Sequence, residues 1–315
     1  MGVATILIIL CHMPAHGVAM PDGMRAVIVH GGAGCDMFLF LSGLGMYYSL
    51  HAKKKVGGGN LISWYKKRYT RILVPYLLIC APLFGFIAIR DHWTIGQYVL
   101  RLSTISFWSE GWGLWFMALI IMIYLVTPLL DKLLNKQNKW FWVVLLLLLT
   151  WLSGSIFVPK GIFSNFNFCF CRVPSYLLGY GLASLIIAEK HVKIFPILIV
   201  TLCLYALSQI INKTTSLSVS VFWLEGIILL IISVYLIKKT NKISSLKVLN
   251  FIGTISLESY CTNVFLLSFF YYIPWQLCCE NLNLNNWTYY TIGTIACILV
   301  SWIVNEISKR ILYRI

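Results

Sequence analysis

The sequence predicts an all-α integral membrane protein, a bundle of about ten transmembrane helices, and three observations lead to this prediction. Of its 315 residues, 59% are hydrophobic and only 11% are charged, whereas a soluble domain carries roughly 25% charged residues. Long apolar runs recur along the whole chain. Lys and Arg cluster in every second loop between these runs, as expected when basic loops stay on the cytoplasmic side of a membrane.

Ten apolar runs are candidate transmembrane helices, because a helix needs about 20 apolar residues to cross the hydrocarbon core. They are 1–20 (partial), 34–50, 72–90, 112–131, 140–158, 169–188, 194–211, 217–237, 250–273 and 288–308. The basic loops and the C-terminus are then cytoplasmic. A single membrane domain over residues 1–315 is the simplest organisation, and the short first run suggests a first helix truncated at the N-terminus.

The net charge of +15 does not indicate a nucleic-acid-binding protein, because the Lys and Arg residues are spread over separate loops. Contact with anionic lipid headgroups is the simpler interpretation. The ten Cys residues do not show the spacing of metal ligands, so no metal site is predicted.

Five ionisable residues lie inside or beside the apolar runs, where such residues are costly and indicate a functional site or an internal pair. They are His12, Asp36, Arg172, Glu225 and Glu258, and the two glutamates are also explained as buried hydrogen-bonding groups. A His is the usual general base near neutral pH. The other three residues also have structural interpretations: a hydrogen bond to a neighbouring helix for His12, a helix N-cap for Asp36, and snorkelling at the outer interface for Arg172.

Arg68 and Arg71 form a pair just before the run that begins at residue 72. Residues three apart share one face of a helix, and two guanidinium groups on one face are suited to binding phosphates. Ordinary anchoring of a cytoplasmic loop is the alternative interpretation.

Six segments in a fixed order carry a further pattern. They are ATILIILCHMP with His12, GGAGCDMFLFLSGLGMYYSL with Asp36, WYKKRYTRILVPYLL with Arg68 and Arg71, WGLWFMALIIMIYLVTPLL with Trp115, CRVPSYLLGYGLA with Arg172, and IGTISLESYCTNVFL with Ser256 and Tyr260. In this order they resemble the acyltransferase-3 family of bacterial integral membrane acyltransferases, over nearly the whole chain. Three positions depart from that family: Met1 and Gly113 replace a usual basic residue and a frequent His, and Asn263 replaces a His.

The resemblance implies transfer of an acyl group, usually acetyl from acetyl-CoA, to a hydroxyl of a cell-surface glycan or lipid-linked sugar at the bacterial cytoplasmic membrane. His12 is then the expected general base, and Asp36 the carboxylate that orients its imidazole. Arg68 and Arg71 are expected to bind the phosphates of coenzyme A. Expected substrate-binding residues are Arg172, Trp115, Ser256, Tyr260 and Asn263.

Two alternatives stay open at this point. A transporter or flippase of glycan intermediates shares the hydropathy, the basic loops and the scattered intramembrane charges. An inactive member of the family is favoured by Asn263 and by the missing basic residue of the first helix. The ordered segments with His12 and the arginine pair favour an enzyme.

Overall fold

The computed structural model describes residues 1–55, 60–134, 138–156, 162–188, 194–215, 218–240, 243–266 and 286–314. It is 89% helical, and no β-strand occurs in these ranges. The prediction of an all-α protein is therefore confirmed. Helices satisfy their backbone hydrogen bonds internally, which a chain surrounded by hydrocarbon requires.

The helices are numbered in chain order. They are α1 (Gly2–His12), α2 (Asp22–Val29), α3 (Gly34–Lys55), α4 (Leu61–Arg90), α5 (Ile95–Leu102), α6 (Ile105–Glu110), α7 (Trp115–Leu134), α8 (Lys139–Ile156), α9 (Ile162–Phe170), α10 (Val173–Ile187), α11 (Ile194–Thr214), α12 (Phe222–Thr240), α13 (Ile243–Thr254), α14 (Ser256–Cys261) and α15 (Asn286–Arg314). A 3₁₀ turn, Pro14–His16, follows α1, and a π-helical turn, Thr262–Leu266, follows α14.

Six helical stretches of the described chain are long and apolar enough to cross a membrane. They are Asp22–Ala52, Leu61–Arg90, Trp115–Leu134, Ser164–Ile187, Ile194–Thr214 and Asn286–Tyr313. They support a multi-pass membrane protein, and each overlaps one of the ten predicted runs. The count of about ten crossings is not confirmed.

The other four predicted runs differ from the six in length, charge or continuity. The stretches Gly2–His16 and Lys139–Gly154 are apolar but shorter. Helix α12 carries Glu225, Lys238 and Lys239. The run 250–273 is divided among α13, α14 and the π-helical turn, and its residues 267–273 lie outside the described part of the chain.

The chain divides into two compact units. The first unit comprises Met1–Gly32, Arg68–Ile105 and Lys242–Ile315, and the second comprises Ala33–Lys67 and Ser106–Asn241. Each unit is therefore assembled from segments distant in sequence. The organisation as one membrane domain over residues 1–315 stays a prediction.

In the second unit, α3 and α10 approach each other closely at two glycines. A Cβ atom at Gly43 would collide with the carbonyl oxygen of Tyr176, and one at Gly179 would collide with the carbonyl oxygen of Phe40. Small residues allow two helix backbones to approach at this distance, and van der Waals packing is a main source of helix association in lipid. The two glycines thus fix the contact between α3 and α10.

A buried carboxylate on α7 adds polar contacts within the same unit. Asp131 is 2% exposed, and its Oδ1 accepts a hydrogen bond from Tyr180 Oη at 2.7 Å. The Nε2 atom of His51 lies 3.5 Å from the same oxygen. These contacts connect α7 to α10 and α3, so the buried charge is not left unsatisfied.

In the first unit, α1 is held by close contacts with α13 and α15. A Cβ at Gly2 would collide with the carbonyl oxygen of Leu249 on α13. On the other side, Tyr290 of α15 donates its hydroxyl hydrogen to the carbonyl oxygen of Ile9. The 3₁₀ turn after α1 ends at Gly17, where φ is 71°, a value that glycine adopts without a steric penalty. The C-terminal end of α1 is therefore fixed in position.

We expect Gly179→Ala to destabilise the protein, because the added methyl group meets the Phe40 backbone rather than a mobile side chain. Overpacking of this kind costs about 1–3 kcal/mol. The control is Gly45→Ala on α3, where a Cβ would meet nothing within 4 Å. The measurement is the thermal unfolding midpoint in detergent, which should fall for Gly179→Ala and not for Gly45→Ala. Equal midpoints for both variants would contradict the close contact.

Candidate active site

His12 is the last residue of α1 and is half-buried. Its Nδ1 atom lies 2.6 Å from Oδ1 of Asn263. Asn263 is 1% exposed and belongs to the π-helical turn after α14. The two residues are 251 positions apart in sequence, so the fold of the first unit brings them together.

The π-helical turn is attached to α15 by side chains on both elements. The hydroxyl groups of Thr262 and Ser301 lie 2.9 Å apart, and the Cys297 thiol donates to the carbonyl oxygen of Thr262 at 3.6 Å. Tyr290, also on α15, binds the backbone of α1. Both partners of the His12–Asn263 hydrogen bond are thus tied to one long helix.

An imidazole with one nitrogen held and the other available to accept a proton is the arrangement of a general base. In the His12–Asn263 pair, the buried amide holds Nδ1. The opposite ring nitrogen, Nε2, is then the atom able to take a proton from a substrate. This chemistry is typical of acyl transfer to a hydroxyl group, which is a poor nucleophile until it loses its proton.

Asp36 and Arg172 form a buried ion pair in the second unit. Arg172 Nη1 lies 2.5 Å from Asp36 Oδ2, and the side chains are 4% and 0% exposed. The Ser175 hydroxyl donates to Asp36 Oδ1 at 3.3 Å. Asp36 is near the start of α3, and Arg172 directly precedes α10, so the pair joins these two helices.

Three aromatic rings surround the Arg172 guanidinium group. Its Cζ atom lies 4.1 Å from the ring centre of Phe222, 4.8 Å from that of Trp115 and 5.2 Å from that of Phe168. Cation–π contacts of this kind are strongest where water is excluded. Arg172 is therefore not a snorkelling residue at the outer interface, which was one of the interpretations of the sequence.

The role of Asp36 as the carboxylate that orients the His12 imidazole stays a prediction. The hydrogen-bond partner of Nδ1 is the Asn263 amide, and both Asp36 oxygens accept bonds from Arg172 and Ser175. The physical reason is charge: a buried carboxylate beside a guanidinium is far less costly than either charge alone. Asn263, expected to bind substrate, is the residue that contacts the imidazole.

The remaining predicted site residues lie at defined places on their helices. Arg71 is exposed and Arg68 is half-buried, one helical turn apart on α4. Trp115 is half-buried and touches Arg172. Ser256 opens α14, where Tyr260 is 6% exposed. Tyr290, which binds the backbone of α1 from α15, was missed by sequence reasoning because nothing marked it among 17 tyrosines.

A buried acidic side chain lies close to the arginine pair within the first unit. Glu258 is 4% exposed and accepts a hydrogen bond from Asn305 Nδ2 at 3.0 Å. Arg71 and Lys309 are near enough to attract its carboxylate. Glu258 thus places a buried carboxyl group in the neighbourhood of Arg71.

We expect Asp36→Asn to destabilise the protein strongly, because it leaves the Arg172 guanidinium buried without its counter-ion. Breaking one partner of a buried pair costs about 3–5 kcal/mol. The double variant Asp36→Leu/Arg172→Met should lose less than either single change, since no charge is then left buried. The measurement is a double-mutant cycle on the thermal unfolding midpoint in detergent.

The matched control for this cycle is Asp91→Asn, which breaks the exposed pair with Arg90, 2.6 Å apart. An exposed ion pair contributes little, so the midpoint should not change. An Asp36→Asn variant as stable as this control would contradict the structural role of the buried pair.

Comparison with curated proteins gave no significant match, and comparison with solved structures gave none either. A family model described as an acyltransferase domain matches residues 2–306. This match covers all six segments with the family pattern, as well as the His12–Asn263 and Asp36–Arg172 pairs. The chain therefore belongs to the acyltransferase-3 family.

Proposed function

We propose that this protein is a membrane O-acyltransferase that moves an acyl group, acetyl in the first instance, from a coenzyme A thioester to a sugar hydroxyl. The acceptor class is a cell-surface glycan or a lipid-linked sugar. The observation that carries the proposal is the 2.6 Å contact between His12 Nδ1 and Asn263 Oδ1 in a chain whose residues 2–306 match an acyltransferase domain.

His12 is the general base of the proposed reaction. Its Nε2 atom takes the proton of the acceptor hydroxyl as the oxygen attacks the thioester carbon. The new C–O bond forms, and the C–S bond to coenzyme A breaks. The proton on Nε2 then passes to the departing sulfur, which leaves as the free thiol. The products are an acylated sugar and coenzyme A, and His12 returns to its starting form.

Arg68 and Arg71 are the proposed binding groups for the donor. Coenzyme A carries a pyrophosphate and a 3′-phosphate, and guanidinium groups bind phosphates through paired hydrogen bonds. The two side chains fit this role, because they lie one turn apart on α4 and Arg71 is exposed.

The proposed location is the cytoplasmic membrane of a bacterium, crossed several times by the chain. The clustering of Lys and Arg in alternate loops supports a cytoplasmic C-terminus and a cytoplasmic position for Arg68 and Arg71. This is the compartment that contains coenzyme A thioesters. The lipid bilayer is the permanent partner, and the acceptor reaches the protein from the other side or on a lipid carrier.

We expect His12→Ala to lower acyl transfer by about 100-fold or more, the usual contribution of a general base. The measurement is incorporation of label from acetyl-CoA by membranes that contain equal amounts of each variant. His92→Asn is the matched control, because His92 is exposed and has φ of 53°, a conformation that Asn tolerates. Full transfer by His12→Ala would show that His12 is not the base.

We expect the double variant Arg68→Ala/Arg71→Ala to raise the KM for acetyl-CoA while the protein level stays the same. Each charge-assisted hydrogen bond contributes about 1.5–3 kcal/mol, so the KM should rise by roughly 10-fold or more. The control Lys66→Ala/Lys67→Ala removes two exposed positive charges from the same helix. Donor kinetics equal to those of this control would reject the arginine pair as the donor site.

A further inference from the structure

The contact between His12 and Asn263 decides which nitrogen of the imidazole carries the hydrogen. The carboxamide oxygen of Asn263 can only accept a hydrogen bond, and it lies 2.6 Å from Nδ1. With the amide oriented as it is in the structure, Nδ1 is the donor, and Nδ2 of Asn263 has no hydrogen-bond partner among the described residues. In the neutral ring, the lone pair is then on Nε2, and only this nitrogen can act as a base.

Asn263 differs from the two groups that sequence reasoning would place beside a catalytic imidazole. A carboxylate such as the predicted Asp36 would add a negative charge, and the His usual in the family at this position would itself titrate. An amide does neither: it orients the ring and leaves the charge of the pair to His12 alone. The imidazole is thus held in one tautomer without a formal negative charge beside it.

The structure restrains the residue next to Asn263 and the helix that carries His12. Asn263 is 1% exposed and lies in the π-helical turn, next to Thr262, which pairs with Ser301 on α15. Its partner His12 ends a helix whose backbone Tyr290 binds at Ile9. A buried amide whose neighbours are fixed has little freedom to rotate away from the ring, and this restraint is what orientation of a catalytic group requires.

We propose that Asn263 is a positioning residue that holds His12 in the tautomer with hydrogen on Nδ1, so that Nε2 is the base in acyl transfer. This inference rests on the proposed function for its kinetic consequence, but not for the tautomer itself. It also gives a different interpretation of Asn263, which stands where the family usually has a His. In this chain the replacement is not the loss of a catalytic group. The base is a histidine–asparagine pair.

The kinetic test compares Asn263→Ala and Asn263→Asp in membranes supplied with labelled acetyl-CoA. Asn263→Ala should lower kcat by roughly 10-fold or more and leave the KM for acetyl-CoA unchanged, because it frees the ring but not the donor site. Asn263→Asp keeps an acceptor for Nδ1 and adds a negative charge that favours the imidazolium. The ascending limb of its pH–rate profile should move to higher pH by roughly one unit.

The control is Asn212→Ala, which removes an exposed amide near the C-terminal end of α11 that hydrogen-bonds to the backbone of Val219 in the second unit. Its kcat and pH profile should match those of the wild type. Wild-type kcat in Asn263→Ala would overturn the inference. A lowered kcat in Asn263→Ala together with an unmoved limb in Asn263→Asp would show a purely structural role and overturn it as well.

A second readout needs no enzymatic activity. The measurement is the ¹⁵N NMR spectrum of histidine-labelled protein in detergent. The His12 signals are identified as those that disappear in the His12→Gln variant. At alkaline pH we expect Nδ1 to carry the hydrogen in the wild type, and a mixture of tautomers in Asn263→Ala. Hydrogen on Nε2 in the wild type would overturn the inference even if acyl transfer is observed. Hydrogen on Nδ1 in a protein without acyl transfer would reject the proposed function and leave the assignment of the tautomer intact.

Discussion

The ion pair between Arg172 and Asp36 is the interaction on which the second unit depends. A guanidinium and a carboxylate, 4% and 0% exposed, cannot be removed from water unless each satisfies the other. They meet where α10 begins and where α3 begins, and the glycines farther along these helices let the two backbones come close. Charge pairing at one end and close packing along the helices therefore reinforce each other.

The Arg172–Asp36 pair and the His12–Asn263 pair differ in their chemistry. In the Arg172–Asp36 pair, both carboxylate oxygens accept hydrogen bonds and aromatic rings surround the cation, while the Nε atom of Arg172 has no hydrogen-bond partner among the described residues. Such a group is suited to holding helices together. In the His12–Asn263 pair, the amide contacts Nδ1, and Nε2 is the nitrogen of the proposed chemistry. A general base needs one nitrogen that can accept a proton.

Most of the architecture could be predicted from sequence, because hydropathy and helix length depend on local composition. The all-α class follows from the apolar runs. The family follows from the order of the six segments. The count of crossings could not be predicted as well, since the run 250–273 reads as one helix although the structure divides it after Thr254 and Cys261. A break between helices leaves little trace in average hydropathy.

Which site residues contact each other was harder to predict than which residues belong to the site. His12, Asp36 and Arg172 were each identified as costly in a membrane, but their pairing depends on which helix faces which. One signal was available: Asp36 and Arg172 have opposite charges, and buried charges usually pair. Nothing comparable marked Asn263, because an amide carries no charge and the resemblance to the family presented it as a loss.

The direction in which the Asn263 side chain points depends on the number of residues in the π-helical turn Thr262–Leu266. An α-helix turns by about 100° per residue, and a π-helical turn contains one residue more than an α-helical turn. Deleting Thr262 would bring Asn263 one position closer to α14 and rotate its side chain by about 100° about the helix axis. The amide would then no longer face His12, although both residues of the pair were still encoded. Among homologous sequences, the spacing across this turn is thus as diagnostic of an intact site as the identity of any residue in it.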